Sequence, residues 1–184
     1  MAQPPTCDFN WPATDFNLLG IDERYYTWSD IAGAKATLVM FICNHCPYVT
    51  SVLDRLIEDM KILQSLQVGV VAISANDAKA YPEDSFENMQ KMAKNKSFPF
   101  AYLYDSEQTV ARAYGAACTP DFFGFNAQRR LQYRGRLDAA GRNPAPPDMR
   151  RDLVEAMRQI AKTGTGPRQQ IPSMGCSIKW FASK

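Results

Sequence analysis

The sequence carries almost no surplus charge. Twenty-one lysines and arginines face nineteen acids, a net +2 at pH 7, too little to draw in nucleic acid or another polyanion. The locally basic stretch RRLQYRGR (129–136) alternates with apolar residues and reads as a solvated strand face. No apolar run approaches the roughly 20 residues that span a bilayer, so no membrane partner is expected. MAQPPTCDFNWPATDF, at the N-terminus, has no charged start followed by an apolar stretch. It is not read as a signal peptide, and a cytoplasmic location is expected. No glycine-rich phosphate loop is present, so no nucleotide or other cofactor is implied. Histidine occurs once, as His45. The five cysteines, Cys7, Cys43, Cys46, Cys118 and Cys176, are an odd number. A complete disulfide framework within one chain is therefore excluded. Only Cys43 and Cys46 are close in sequence, and in a reducing compartment that pattern favours catalytic or metal-binding thiols over staples.

What is there fits one domain over residues 1–184, with a sizeable core and a C-terminal tail over 164–184. KATLVMFI (35–42) reads as a strand buried on both faces. PYVTSVLDRLIEDMKILQSL repeats Val49, Leu53, Leu56, Ile57, Met60 and Leu63 at helical spacing, an amphipathic helix. QVGVVAISAND is a second buried strand. PEDSFENMQKMAKNKS has acids early and lysines late, matching a helix dipole. FPFAYLYD is a short strand and SEQTVARAYG a helix. PDFFGFN and RLQYRGRL form a predicted hairpin. DMRRDLVEAMRQIAKTG is a closing helix capped by Asp148 and ended by Gly164. The segment before residue 35 predicts an edge strand or hairpin, and the tail has little regular pattern. Alternating strands and helices closed by a hairpin predict a mixed sheet with helices on both faces.

The chemistry concentrates in FICNHCPYV (41–49). Cys43 falls where the buried strand ends and the helix begins, and Pro47 suits a first helical turn. Unpaired N–H groups at a helix start favour a thiolate, which predicts a lowered pKa for Cys43. Cys46, three residues on, can face the same way, so a reversible disulfide is open to the pair. His45 between them can donate a hydrogen bond or a positive charge to the Cys43 sulfur and lower its pKa further.

Strand, C-x-x-C, helix, strand and a later Thr-Pro before a hairpin together resemble the thioredoxin-like superfamily. The long N-terminal segment, TPDFFGFN and the following YRG resemble its AhpC/TSA-type redoxins. A group with a CNHCPYV-like site, a CTPDFF-like loop and a GCSIKW-like tail is similar over roughly residues 12 to 180. The resemblance implies an α/β thioredoxin-like fold and a thiol–disulfide oxidoreductase. In it Cys43 would be the nucleophile and Cys46 the resolving thiol. Thr119–Pro120 would be a cis peptide whose loop faces the cysteines and offers backbone groups to an extended substrate strand. The implied partners are a disulfide-containing protein or small molecule and a thiol electron donor. Two departures stand out. Ile42 replaces the thioredoxin tryptophan, and Thr37 stands where thioredoxins keep a buried aspartate.

Two other readings compete. Peroxiredoxins carry T-x-x-C-P at the same junction, with Cys43 here in place of the threonine. Cys46 would then be oxidised by peroxide, with Cys43 or Cys176 resolving it and an arginine such as Arg134 steadying the thiolate. Alternatively Cys43, His45 and Cys46, with Cys118, could ligate zinc or copper, although the second ligand pair of a structural site is missing. Cys118, two residues before Pro120, and Cys176 in the tail are candidates for additional redox thiols. Cys7 is assigned no redox role. Phe122, Phe123 and Phe125 read as core, with alternate ones open to a substrate groove.

Overall fold

In the computed structural model, residues 1–182 are described. A hairpin of β1 (Asn17–Gly20) and β2 (Tyr25–Thr27) runs through the short helix α1 (Trp28–Ile31) into β3 (Ala36–Phe41). Next come α2 (Pro47–Thr50), α3 (Leu53–Ser65) and β4 (Val68–Ser74). A 3-10 turn at Pro82–Asp84 leads to α4 (Phe86–Lys96), followed by β5 (Ala101–Tyr104) and α5 (Thr109–Ala113). The two-residue strand β6 (Cys118–Thr119) precedes the hairpin of β7 (Asp121–Asn126) and β8 (Leu131–Tyr133). The chain closes with α6 (Asp152–Thr163) and β9 (Cys176–Ser177).

Seven strands form one sheet in the order β2-β1-β5-β4-β3-β7-β8, while β6 and β9 pair separately. β3 runs parallel to β4, and β4 to β5; every other pairing in the sheet is antiparallel. The mixed sheet flanked by helices is the architecture expected. β3 lacks polar alternation because both of its faces are covered. Leu38 and Met40 point into a core with Leu56, Met60, Leu63, Met157 and Ile160 from α3 and α6. Val39 and Phe41 point the other way, to Trp28, Val110, Phe123 and Ile178. Each such side chain contributes about 1.5–3 kcal/mol when fully buried, so this central strand and its two neighbours anchor the molecule. Among the described residues no helix is long and apolar enough to cross a membrane.

Three boundaries differ from the sequence expectation. The single predicted helix after the cysteines is two, because the Ser51 hydroxyl donates back to the Pro47 carbonyl at 2.6 Å and the chain turns before Leu53. The closing helix begins at Asp152 rather than at Asp148. Its start is set by tertiary contacts: the Leu153 N–H donates to the Leu137 carbonyl at 3.0 Å and Arg136 Nε to the Asp152 carboxylate at 2.8 Å. Gly164 ends it in the left-handed region, as predicted. The tail is ordered into β9, antiparallel to β6 with Thr119 opposite Cys176.

Candidate active site

The pairing of β3 with β4 extends one residue past the strand, through the Ile42 N–H and the Ile73 carbonyl. The chain then leaves the sheet at Cys43. Cys46, not Cys43, occupies the capping position of the next helix, with Pro47 as its first residue. All five cysteines are free thiols. Cys43 and Cys46 are both buried, at 1% and 0% exposure.

Thr119 joins the two sulfurs. Its hydroxyl lies 3.4 Å from Cys43 Sγ, and its carbonyl lies 3.1 Å from Cys46 Sγ, which donates to it when protonated. The Thr119–Pro120 peptide is cis, as the resemblance implied. The thiols also face each other and titrate as a pair. The hydrogen bond from Cys43 pulls Cys46 well below the ordinary thiol range, helped by Cys176 and the Thr119 hydroxyl and opposed by burial. The same hydrogen bond, then burial and the Asp84 charge, push Cys43 far above it. The pair as a whole therefore gives up one proton easily and holds the other, with Cys46 the lowered and Cys43 the raised partner.

One contributor to the rise of Cys43, after the hydrogen bond and burial, is Asp84, which the sequence reading missed. This buried carboxylate sits at the end of the 3-10 turn and takes the very N–H groups expected to face Cys43. Asn44 N–H donates to its Oδ1 at 2.8 Å and His45 N–H at 3.3 Å, while the Asn76 amide donates to Oδ2 at 2.7 Å. The His45 ring turns to the same carboxylate through a close contact that is not a well-aligned hydrogen bond. The His45 Nδ1 lies 2.7 Å from Asp84 Oδ2, and the ring stacks on Tyr81. The imidazole therefore faces the carboxylate rather than donating to the Cys43 sulfur. Asn44 completes the clamp, its Oδ1 accepting from the Tyr102 hydroxyl at 3.0 Å. In sequence Asp84 is one acid of PED at a helix start, where acids are commonly solvated. Only the turn that buries it gives it a role.

The other candidates separate. Cys176 is half-buried and packs on the core that contains the pair; burial raises its pKa to about 11. Cys118 is buried, and its thiol donates to the Pro120 carbonyl at 3.4 Å. Burial raises its pKa. Cys7 packs against the opposite core with Trp11. Arg134 is committed elsewhere: it pairs with Asp121 at 2.9 Å and donates to the Gly115 carbonyl at 2.8 Å, and it is not among the groups that lower Cys46. Donor atoms of Cys43, His45 and Asp84 lie within 4.8 Å of one another. That group differs from the predicted metal set, and the Asp84 oxygens in it already accept the bonds above. Beside Pro120 opens an apolar groove of about 390 Å³ lined by Tyr48, Val52, Phe122, Leu137 and Ile171. Phe122 faces it, while Phe123 and Phe125 lie in the core on the other side of the sheet.

Comparison with known proteins bears on the fold and the family. A conserved protein of Geobacillus kaustophilus, described as uncharacterized, superposes with a TM-score of 0.93 at 40% identity, covering 100% of this chain and 97% of the other. A hypothetical protein of Sinorhizobium meliloti 1021 gives 0.93 at 36% identity, with 100% of both chains covered. A thiol:disulfide interchange protein of the thioredoxin family from Chlorobium tepidum TLS gives 0.62 at 16% identity over 82% of this chain and 95% of its own, which establishes the thioredoxin-like fold. Among curated proteins no match was found. Residues 10–134, which contain the cysteine pair, the cis-proline and the β7–β8 hairpin, match the model of the AhpC/TSA family. The chain therefore belongs to the AhpC/TSA family of thioredoxin-like redoxins, and its chemistry is redox chemistry.

Proposed function

We propose that the chain is a thiol–disulfide oxidoreductase in which Cys43 and Cys46 cycle between dithiol and disulfide. The observation that carries this reading is one residue, Thr119, held against both sulfurs while the two share a proton. A pair that gives up one proton easily holds a nucleophilic thiolate beside a protonated thiol at neutral pH. On this reading Cys46 is the attacking sulfur and Cys43 closes the ring, the reverse of the order the resemblance implied. A thiol donor then reopens the disulfide. An odd number of cysteines with a single close pair suits a reducing compartment, and the cytoplasm is the proposed location.

The test is equilibration in glutathione buffers of graded poise, with the Cys43–Cys46 disulfide read by mass spectrometry. A single two-electron transition is expected, absent in Cys43→Ser and Cys46→Ser, together with dithiothreitol-dependent reduction of a protein disulfide such as insulin. A pair that stays reduced at every poise would sink the proposal.

One observation favours a second reading, a thiol peroxidase. Cys43 stands in the place of the family's threonine, three residues before Cys46, which Pro47 follows. Against it, Arg134 is engaged by Asp121. Thiol-dependent peroxide consumption faster than disulfide reduction would favour this alternative.

A further inference from the structure

Cys43 and Cys46 are both buried. A folded protein carrying a disulfide has little access to sulfurs this buried, yet exchange requires direct contact between sulfurs. The edge of β6 beside the cis-proline, where an extended substrate strand was expected, is already occupied by β9. The side chain this places there is Cys176. Its Cα stands opposite Thr119, the residue whose carbonyl meets Cys46 Sγ at 3.1 Å. Cys176 packs on the same core as Cys43 and Cys46 but is itself only half-buried.

The tail is pinned on both sides of this cysteine. Before it, Gly175 exchanges two backbone bonds with Ala2 at 2.9 and 3.1 Å, and the Ser173 hydroxyl donates to the Pro120 carbonyl at 2.7 Å. After it, Ile178 is buried. The Lys179 N–H donates to Asn76 Oδ1 at 2.8 Å, and the Lys179 carbonyl accepts from the Asp77 N–H at 2.8 Å and the Gln108 amide at 2.9 Å. A segment anchored this way is a fixed wall of the site, with one sulfur facing inward and partly outward.

We propose that Cys176 is a third catalytic thiol, through which external thiols and disulfides exchange with the buried Cys43–Cys46 pair. This deepens the thiol–disulfide reading and rests on it. In the reductive direction Cys176 loses its proton to solvent and attacks a client disulfide. The client S–S bond breaks, a Cys176–client bond forms, and the first client sulfur leaves. Cys46 then attacks the Cys176 sulfur, forming Cys46–Cys176 and releasing the second client sulfur. Cys43 attacks Cys46, closing Cys43–Cys46 and freeing Cys176, which ends protonated as it began. Two electrons pass from the pair to the client. Its two halves leave as thiols, one proton coming from Cys43 and one from solvent. In reverse, an external thiolate attacks Cys176 of a Cys46–Cys176 disulfide, and the acidic Cys46 is the favoured leaving group.

The experiment has two arms. Cys176→Ser is assayed for insulin reduction with dithiothreitol, with Cys7→Ser as the control that keeps wild-type turnover. A fall of roughly tenfold or more is expected for Cys176→Ser. Separately, Cys43→Ser, which cannot complete the relay, is treated with oxidised glutathione and digested without reduction. A peptide linking Cys46 to Cys176 is expected. Full turnover by Cys176→Ser overturns the proposal. So does a Cys43→Ser protein that accumulates only glutathione on Cys46. If wild-type protein never forms Cys43–Cys46 in glutathione buffers, the underlying reading fails and takes this one with it. An oxidisable pair with an indifferent Cys176 sinks the relay alone.

Discussion

Thr119 offers Cys46 an acceptor, its carbonyl, and offers Cys43 a hydroxyl that can donate or accept. A thiolate gains from donors, so the largest influence lowering Cys46 is the Cys43 S–H, ahead of Cys176 and the Thr119 hydroxyl. Cys43→Ala removes that donor, and the low thiolate titration, followed by ultraviolet absorbance, should move up toward the ordinary thiol range. Cys43→Ser keeps a hydroxyl donor and should shift it less. Because Cys46 is lowered, its thiolate should persist as pH falls through the neutral range and disappear only below it. If the low step survives instead in Cys46→Ser, the charge resides on Cys43. Asp84 supports the same loop from the far side. Asp84→Asn leaves one oxygen for donors that now share two, and it removes the negative charge that disfavours ionisation of Cys43. A stability loss of about 1–3 kcal/mol in urea unfolding is expected, since buried donors lose their acceptor. A second thiol step at lower pH than in the wild type should accompany it. The cysteine motif was legible because both sulfurs lie in one short stretch. Asp84 was not, because burial of an acid 38 residues beyond Cys46 is decided by a turn and not by local pattern.

The helices and long strands could be read from their periodicity, since β3, β4 and α3 each bury enough residues to impose one. β6 and β9 have two residues each, too few for any period. Their pairing depends instead on Gly175. A Cβ built there would run into the carbonyl group of Thr119, which is backbone and cannot swing aside. The close approach of tail and cis-proline loop therefore needs glycine at this position. Gly175→Ala should force β9 away from β6 and lower stability by roughly 1–3 kcal/mol, the usual range for overpacking. It should also open the pair. Iodoacetamide labelling of Cys46, slow in the wild type because the sulfur is buried, should accelerate in the variant when followed by mass spectrometry. Unchanged labelling together with an unchanged melting temperature would show that β9 does not seal the site.

The sheet separates two cores, and the site lies on the side covered by α3, α4 and α6. The contact between α3 and α6 is polar at one point. Asp59 on α3 is completely buried and meets the guanidinium of Arg151, just before α6. Arg151 also donates to the Arg55 carbonyl at 3.0 Å, and Arg55 pairs with Asp138 at 2.8 Å. Neither Asp59 oxygen has a well-aligned hydrogen bond. Burial therefore outweighs the Arg151 charge and raises Asp59 from 3.8 to about 7. Below the unfolded value the carboxyl is protonated in both states and has no effect. Between about 4 and about 7 the unfolded chain ionises while the folded one holds its proton, so stability falls as pH rises. The loss from this group levels off above about 7, at up to about 4 kcal/mol. Asp59→Asn removes the titration, and Arg151, with 32% of its side chain exposed, can turn toward water. Urea unfolding of wild type and variant across that pH range should therefore diverge, the variant gaining relative stability as pH increases. A difference that stays constant with pH would mean that Asp59 is already ionised in the folded protein and that Arg151 prevails over burial.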